Sequence, residues 1–240
     1  MGTVLELGCG IMAEWKIAVP KDLEVDNSGY TIDGKKYVRV TRSLGVISKP
    51  GLLTWFQKVG KQKAESIMKN RQILGTNVHS LFEKLVKGET VYTETYNQEV
   101  QLDVRLFKNF MDKCIVGYDA LEQRLWSTTL GYAGTADFIG TYKSNSDFLV
   151  RGWESKFKKG ELVILDYKTS RDIYDEYWLQ LAAYCWAFYE LTGIKVKGGV
   201  IAQFRGGKIR VKEKTWKELM EDLEVYKSVL VLYRWKYHLN

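Results

Sequence analysis

Apolar residues follow a helical period between Leu52 and about Val86. Gly60 divides the segment, and from Ala64 onward the apolar positions recur three and four residues apart, which is typical of a helix with one buried face. The predicted buried stripe consists of Ile67, Ile73, Leu74, Val78, Leu81, Phe82 and Leu85. A second helix is predicted from Glu99 to Cys114.

The period changes to that of strands elsewhere in the chain. Asp33-Gly34 supplies the positive φ angles of a tight turn and predicts a hairpin that ends near Thr41. The run from Glu161 to Asp166 is apolar on both faces, which is typical of a central strand covered on two sides. The predicted later strands are Tyr118–Thr128, Tyr132–Tyr142, Glu161–Lys168, Val196–Phe204 and Lys208–Lys212, with turns at Gly131, Gly134, Lys143–Asp147 and Arg205–Gly207.

Two further helices complete the pattern, at Asp175–Leu191 and Thr215–Tyr237. Helices, a meander of strands, a strand–helix–strand unit and a last helix predict a mixed α/β (α+β) fold with a central sheet. One domain over 1–240 fits this order best. Its parts would be an N-terminal hairpin with helices (1–72), a core (73–214) and a C-terminal helix (215–240).

Composition narrows the class of protein. The 240 residues are 45% hydrophobic and 13% aromatic, which excludes disorder as the main state. The sequence shows neither an apolar stretch of about 18 residues nor a signal peptide, so we expect a cytoplasmic protein with no membrane contact. Cys9, Cys114 and Cys185 are too few for a four-cysteine metal site. A net charge of +7 favours an anionic partner, with nucleic acid first among the candidates.

Candidate chemistry begins with Asp166-Tyr167-Lys168. In a strand the Asp and Lys side chains share one face, and a charged pair in an apolar strand is costly to bury without a partner or a function. Asp137 lies in another predicted strand, and if the two strands are neighbours both carboxylates could bind one hard cation. A structural ion pair is the alternative interpretation.

Two helices add polar side chains to this set. Gln180 and Tyr184 are four residues apart and so lie on one helix face, as do His79 and Glu83. His79 is one of two histidines, and alone it is more often structural than a ligand. Glu83 and Glu122 are second-rank candidates for the functional site. Glu122 is most simply a strand residue that faces solvent.

The order G-x-x-x-H (Gly75 to His79), G-x-x-D (Gly134 to Asp137), D-x-K-T (Asp166 to Thr169) and Q-x-x-x-Y (Gln180 to Tyr184) resembles the RecB-like branch of the PD-(D/E)XK nuclease superfamily. The resemblance covers a little under half of the chain. It implies a restriction-endonuclease-like core and metal-dependent hydrolysis of DNA, preferably of single strands or ends, that leaves a 5′-phosphate and a 3′-hydroxyl.

The resemblance also implies roles for individual residues. The ligands of Mg²⁺ or Mn²⁺ would be His79, Asp137, Asp166 and the backbone carbonyl of Tyr167. Lys168 would position the attacking water, and Gln180 and Tyr184 would orient Lys168 or hold a phosphate. The sequence lacks the four cysteines of an iron–sulfur cluster, so we expect no cluster. It also lacks the phosphate-binding loop of a helicase, so any unwinding would come from a partner. A homo-oligomer, or a helicase or recombinase partner, stays open.

A basic hairpin offers a surface for the nucleic acid. Lys208, Arg210, Lys212 and Lys214 alternate, so they share one strand face, and Arg205 lies at the turn. A solvated sheet edge explains this row about equally well. The last helix carries Trp216, Tyr226, Tyr233, Trp235 and Tyr237, which are more typical of a core than of a base-stacking surface.

The sequence has features of two alternative functions. A non-catalytic nucleic-acid-binding module on the same fold is disfavoured because Asp137, Asp166 and Lys168 are all present. The segment Leu5 to Gly10 resembles the glycine turn of S-adenosylmethionine-dependent methyltransferases, but Met12 replaces a further glycine and no strand–helix–strand unit follows.

Overall fold

A computed structural model describes residues 15–26, 29–142 and 155–239. In these residues the strands are β1 (Leu23–Val25), β2 (Gly29–Ile32), β3 (Lys35–Arg39), β4 (Ile115–Ser127), β5 (Tyr132–Tyr142), β6 (Leu162–Lys168), β7 (Gly198–Arg205) and β8 (Lys208–Thr215). The helices are α1 (Val40–Ser43), α2 (Pro50–Val59), α3 (Lys61–Val86), α4 (Gln98–Cys114), α5 (Asp175–Thr192) and α6 (Trp216–Tyr237), with a 3-10 turn at Leu44–Val46.

The strands form one mixed sheet in the order β1-β2-β3-β5-β6-β7-β8, and β4 pairs with β5 outside this path. The β3–β5 and β6–β7 pairs are parallel, and the other pairs are antiparallel. The predicted α/β fold with a central mixed sheet and flanking helices is therefore confirmed. Among the described residues, no helix combines the length and the apolar character that crossing a membrane requires.

Strand β5 has three partner strands but only two edges. β4 occupies one edge along the whole strand. On the other edge β3 pairs with Tyr132 and Ala133, and β6 pairs with the segment from Phe138 to Thr141. The segment 134–137 lies between these two partners, so the sheet has a gap there. We call it the β3–β6 gap.

The helices cover both faces of the sheet. On one face α3 and α4 bring Phe82 and Phe107 into a stacked pair, with ring centroids 3.8 Å apart, that also contacts Phe204 of β7. On the other face α5 and α6 pack on β5, β6 and β7 around Leu181 and Leu223. The buried positions on both faces of β6 confirm its prediction as a central strand.

Most predicted elements are confirmed within one to three residues, but the turn predicted at Gly134 is wrong, because Gly134 lies within β5. The tight turn at Asp33-Gly34 is present, and α5 ends at Gly193 with φ of 72°. The predicted stripe of α3 is wrong in its first half, since Ile67 and Ile73 are 38% and 52% exposed. In the first half of α3 Ala64 is buried, whereas in the second half Val78, Leu81, Phe82 and Leu85 are all buried. Leu5–Gly10 and Lys143–Asp147 lie outside the described residues.

Candidate active site

Asp166 and Lys168 form an ion pair at the end of β6, beside the β3–β6 gap. Lys168 Nζ lies 2.5 Å from Asp166 Oδ2, and the Asp166 side chain is 2% exposed. The Lys168 ammonium also lies 4.8 Å from the centroid of the Tyr177 ring. The pair is therefore enclosed between β6 and the first turns of α5.

Two side chains of α5 extend this pair into a hydrogen-bonded chain. Gln180 Nε2 lies 3.3 Å from Asp166 Oδ1 and 3.1 Å from Tyr184 Oη. The Gln180 carbonyl oxygen accepts from Lys168 Nζ at 3.5 Å. Gln180 thus contacts both members of the pair, and the predicted placement of the two α5 residues on one face agrees with the structure.

Asp166 and Lys168 shift each other's pKa. Burial raises the pKa of Asp166 to about 6, the charge of Lys168 opposes that rise, and Asp137 adds to it. Burial lowers the pKa of Lys168, but the negative charges of Asp166 and Asp137 outweigh it, so that pKa lies above its usual value. Lys168 is therefore a charged ammonium at neutral pH.

Asp137 lies in the β3–β6 gap. Its side chain, rather than a carbonyl of a neighbouring strand, accepts the hydrogen bond of the Tyr167 backbone N–H, through Oδ2 at 2.8 Å. The N–H and C=O of one strand residue point to the same edge, so the Tyr167 carbonyl faces the gap as well. Asp137 and the carbonyl of Tyr167 thus lie on opposite sides of one opening.

Helix α3 and strand β4 bring two further side chains with potential metal-ligand atoms close to Asp137. His79 Nδ1 lies 3.7 Å from Asp137 Oδ2. His79, Glu122 and Asp137 each offer a ligand atom within 4.8 Å of the others. Glu122 stands opposite Asp137 in the register set by the pairs Leu121–Phe138 and Gln123–Ala136. We call His79, Glu122 and Asp137 the metal cluster.

Glu122, a candidate of second rank in the sequence, is exposed as predicted and lies close to His79 and Asp137. Its φ of 46° is uncommon for a residue other than glycine, asparagine or aspartate. Desolvation, followed by the charges of Asp137 and Glu83, raises the pKa of Glu122 to about 7. Glu83 itself pairs with Lys87 at 2.6 Å rather than joining the cluster. Counting back from the turn between β4 and β5 would have placed Glu122 opposite Asp137.

The motif glycines allow the close packing of this site. A Cβ on Gly134 would lie 2.4 Å from Tyr184 Cε1, so the Tyr184 ring packs directly on the backbone of β5. A Cβ on Gly75 would lie 3.2 Å from Thr169 Oγ1. Gly75 therefore lets α3, which carries His79, pass close to the segment that follows Lys168.

The donor set suits a hard divalent cation. One imidazole, two carboxylates and a nearby third carboxylate, that of Asp166, match the oxygen-rich coordination of Mg²⁺ and Mn²⁺. Asp166 Oδ2 is buried, and the Lys168 ammonium lies beside it.

The side chains of the basic hairpin β7–β8 alternate as predicted, but two of them bind other side chains of the protein. Lys208, Arg210 and Lys212 are exposed and alternate with inward-facing residues, as predicted. Arg210, however, donates to Gln203 Oε1 at 2.6 Å, and Lys214 is paired with Asp222 at 2.6 Å.

The aromatic residues of α6 divide between core and surface. Tyr226 and Tyr233 are buried, as the core interpretation predicted, and Trp216 is partly buried against the α5–α6 core. Trp235 and Tyr237 are exposed and do not belong to that core.

No protein-family model matches the chain, and no curated protein matches it. Among solved structures, the chain is similar to the crystal structure of SSO0001, with 14% sequence identity and a TM-score of 0.37. The similarity covers 88% of this chain and 79% of that chain. A TM-score of 0.37 is too low to infer a shared function.

Proposed function

We propose that the protein is a metal-dependent nuclease that hydrolyses phosphodiester bonds of DNA. The observation that carries the proposal is the meeting of the Asp166–Lys168 pair and the metal cluster at one gap in the sheet. An ordinary structural ion pair would need neither the His79 and Glu122 side chains nor an opening beside it. The four motifs that resemble RecB-like nucleases support the same conclusion, and their side chains converge here.

A divalent cation bound by His79, Glu122, Asp137 and Asp166 would lower the pKa of a water molecule and offset charge on phosphoryl oxygens. The orientation of the water and part of the charge stabilisation come from a side chain of the protein. Lys168 keeps its positive charge beside Asp166, so it can orient the attacking water and stabilise the negative charge that develops on the phosphate.

Gln180 and Tyr184 act through Lys168 and Asp166. The amide of Gln180 contacts both charged groups, and its Nε2 also donates to Tyr184 Oη. They are therefore positioning residues. Because Tyr184 packs on Gly134, this positioning depends on the strand that also carries Asp137.

The net charge of +7 and the basic hairpin support DNA as the partner. Lys208, Lys212 and Arg205 would contact backbone phosphates, which gives affinity without sequence preference, whereas Arg210 is held by Gln203. A preference for single strands or ends, and 5′-phosphate and 3′-hydroxyl products, follow from the resemblance to RecB-like nucleases.

The test is cleavage of end-labelled linear and of circular DNA, single- and double-stranded, with Mg²⁺, Mn²⁺ or EDTA. Wild type is compared with Lys168→Ala and with Lys168→Gln, which keeps an amide donor near Asp166. Lys159→Ala is the matched control, because Lys159 is exposed and precedes the opposite end of β6. We expect metal-dependent cleavage by wild type and the control, and a loss of at least about 100-fold in both Lys168 variants.

Circular dichroism shows whether the variants fold. Full activity of a folded Lys168 variant would refute the assignment of the site. Binding of DNA without cleavage by wild type in any metal would favour the non-catalytic binding module instead. Cleavage of the circular substrates would identify an endonuclease, and cleavage of linear substrates alone an exonuclease.

A further inference from the structure

A cleft of about 580 Å³ lies at the β7–β8 hairpin, one strand away from β6. Arg171, Arg205, Lys208 and Arg210 line it, together with Gln203 and the apolar side chains of Leu106 and Ile209. Among the described residues, no acidic side chain belongs to this lining. Its volume lies in the range in which proteins enclose small ligands. We call it the basic cleft.

The basic cleft is connected to the Asp166–Lys168 pair by the register of the sheet. Lys168 pairs with Gln203 of β7, and Gln203 pairs with Arg210 of β8. Paired residues of neighbouring strands point to the same face, so these three side chains form one row. Two strand spacings separate the ends of the row, which is about 10 Å.

Hydrogen bonds fix the floor of the cleft to the segment that follows Lys168. Gln203 is 2% exposed and donates to the Ser170 carbonyl at 2.7 Å. Arg210 donates from Nε to Gln203 Oε1 at 2.6 Å and from Nη2 to the Arg171 carbonyl at 2.7 Å. The backbone of Arg171 is thereby held, while its side chain is 84% exposed.

The charges of the cleft are only partly neutralised. Asp172 lies 3.1 Å from Arg210 Nη2 and 3.9 Å from Arg171 Nε, so one carboxylate serves two guanidinium groups. Lys208 is exposed at the start of β8, next to the turn. The cleft therefore keeps a positive field that suits an anion with several oxygens.

We propose that the basic cleft binds a backbone phosphate of the DNA strand whose scissile phosphate lies at Lys168, a few nucleotides away. Arg171 and Lys208 contact the bound phosphate. Arg210 and Gln203 hold the cleft in line with the pair on β6. This assignment rests on the proposed nuclease function, and it defines where the strand runs: across β7 toward β8.

The test measures binding separately from cleavage. Fluorescence anisotropy of a labelled single-stranded oligonucleotide in EDTA gives the affinity over a series of KCl concentrations. The variant is the double substitution Arg171→Gln and Lys208→Gln. Its matched control is Lys158→Gln with Lys159→Gln, which removes the same charge from the turn before β6.

Two lost phosphate contacts reduce the slope of log affinity against log salt by about 1.4, since each contact to a single strand contributes about 0.7. Over a fourfold rise in salt, the affinity of wild type then falls about sevenfold more than that of the variant. The control keeps the wild-type slope. Replacement by Arg171→Lys with Lys208→Arg, which preserves both charges, restores it.

A variant slope equal to that of the control would overturn the assignment of the cleft, and cleavage by wild type would leave the nuclease proposal intact. Wild type that neither binds nor cleaves DNA would overturn both. A slope that falls equally in variant and control would show a general effect of surface charge, and it would also overturn the assignment of the cleft as a phosphate-binding site.

Discussion

Gly134→Ala tests how the packing of the site supports its chemistry. A Cβ at this position would lie 2.4 Å from Cε1, 3.0 Å from Oη and 3.1 Å from Cζ of Tyr184. Tyr184 is buried, so its ring cannot swing into solvent. The ring must shift, and its hydroxyl then moves relative to Gln180.

The magnitude follows from the cost of overpacking a buried position, about 1–3 kcal/mol. For a protein of this size, that loss lowers Tm by about 2–12 °C. Displacing Tyr184 also disturbs Gln180 and through it Lys168. We therefore expect the cleavage rate to fall by a larger factor than a surface substitution would cause.

Thermal unfolding and cleavage of labelled DNA are the two assays. Gly51→Ala is the control, because nothing lies within 4 Å of a Cβ at that helical position. In the double variant Gly134→Ala with Tyr184→Leu the clashing ring atoms are gone, so its loss of stability should be smaller than the sum of the single losses. A Gly134→Ala protein as stable and as active as Gly51→Ala would refute the packing argument.

Two further predictions concern carboxylates. Glu122→Gln removes one ligand of the metal cluster, so we expect the Mn²⁺ concentration for half-maximal cleavage to rise about 10–100-fold, and an unchanged requirement would exclude Glu122 as a ligand. The hydrogen bond from Lys156 and the capping bond from the Thr215 N–H lower the pKa of Glu218 to about 2, so its contribution to stability is present above about pH 4.5 and is lost as the pH falls toward 2. Glu218→Gln should therefore cost about 0.5–1 kcal/mol in thermal melts at pH 7 and little at pH 2, whereas Glu221→Gln on the same helix should cost little at either pH.

Local signals in the sequence were sufficient for most of the secondary structure. Asp33-Gly34 and Gly193 occupy positive φ angles that few other residues favour, so they mark a turn and a helix end. The doubly apolar strand β6 and the face shared by Gln180 and Tyr184 follow from fixed periodicities. These features depend on neighbours within a few residues, which a single sequence contains.

Features that depend on distant partners could not be predicted in the same way. The helical period of α3 continues through Ile67 and Ile73, although tertiary packing buries the apolar stripe mainly in the second half of the helix. The short strand β1 has three residues and exists because β2 pairs with it. Glu122 is exposed, as predicted, but its position opposite Asp137 depends on the register of β4 on β5.

The β3–β6 gap also divides the sheet into parts of unequal stability. β1, β2 and β3 join the rest of the sheet through the pairing of Val38 and Arg39 with the first two residues of β5. β5, β6 and β7 are instead bonded along much of their lengths and buried on both faces. Regions with few cross-strand bonds open locally at a lower free energy than the centre of a fold. We therefore expect the three-stranded part to open at a lower free energy than β5, β6 and β7, with the apolar contacts of Tyr30, Ile32 and Tyr37 against Trp126 and Ala133 opposing that opening.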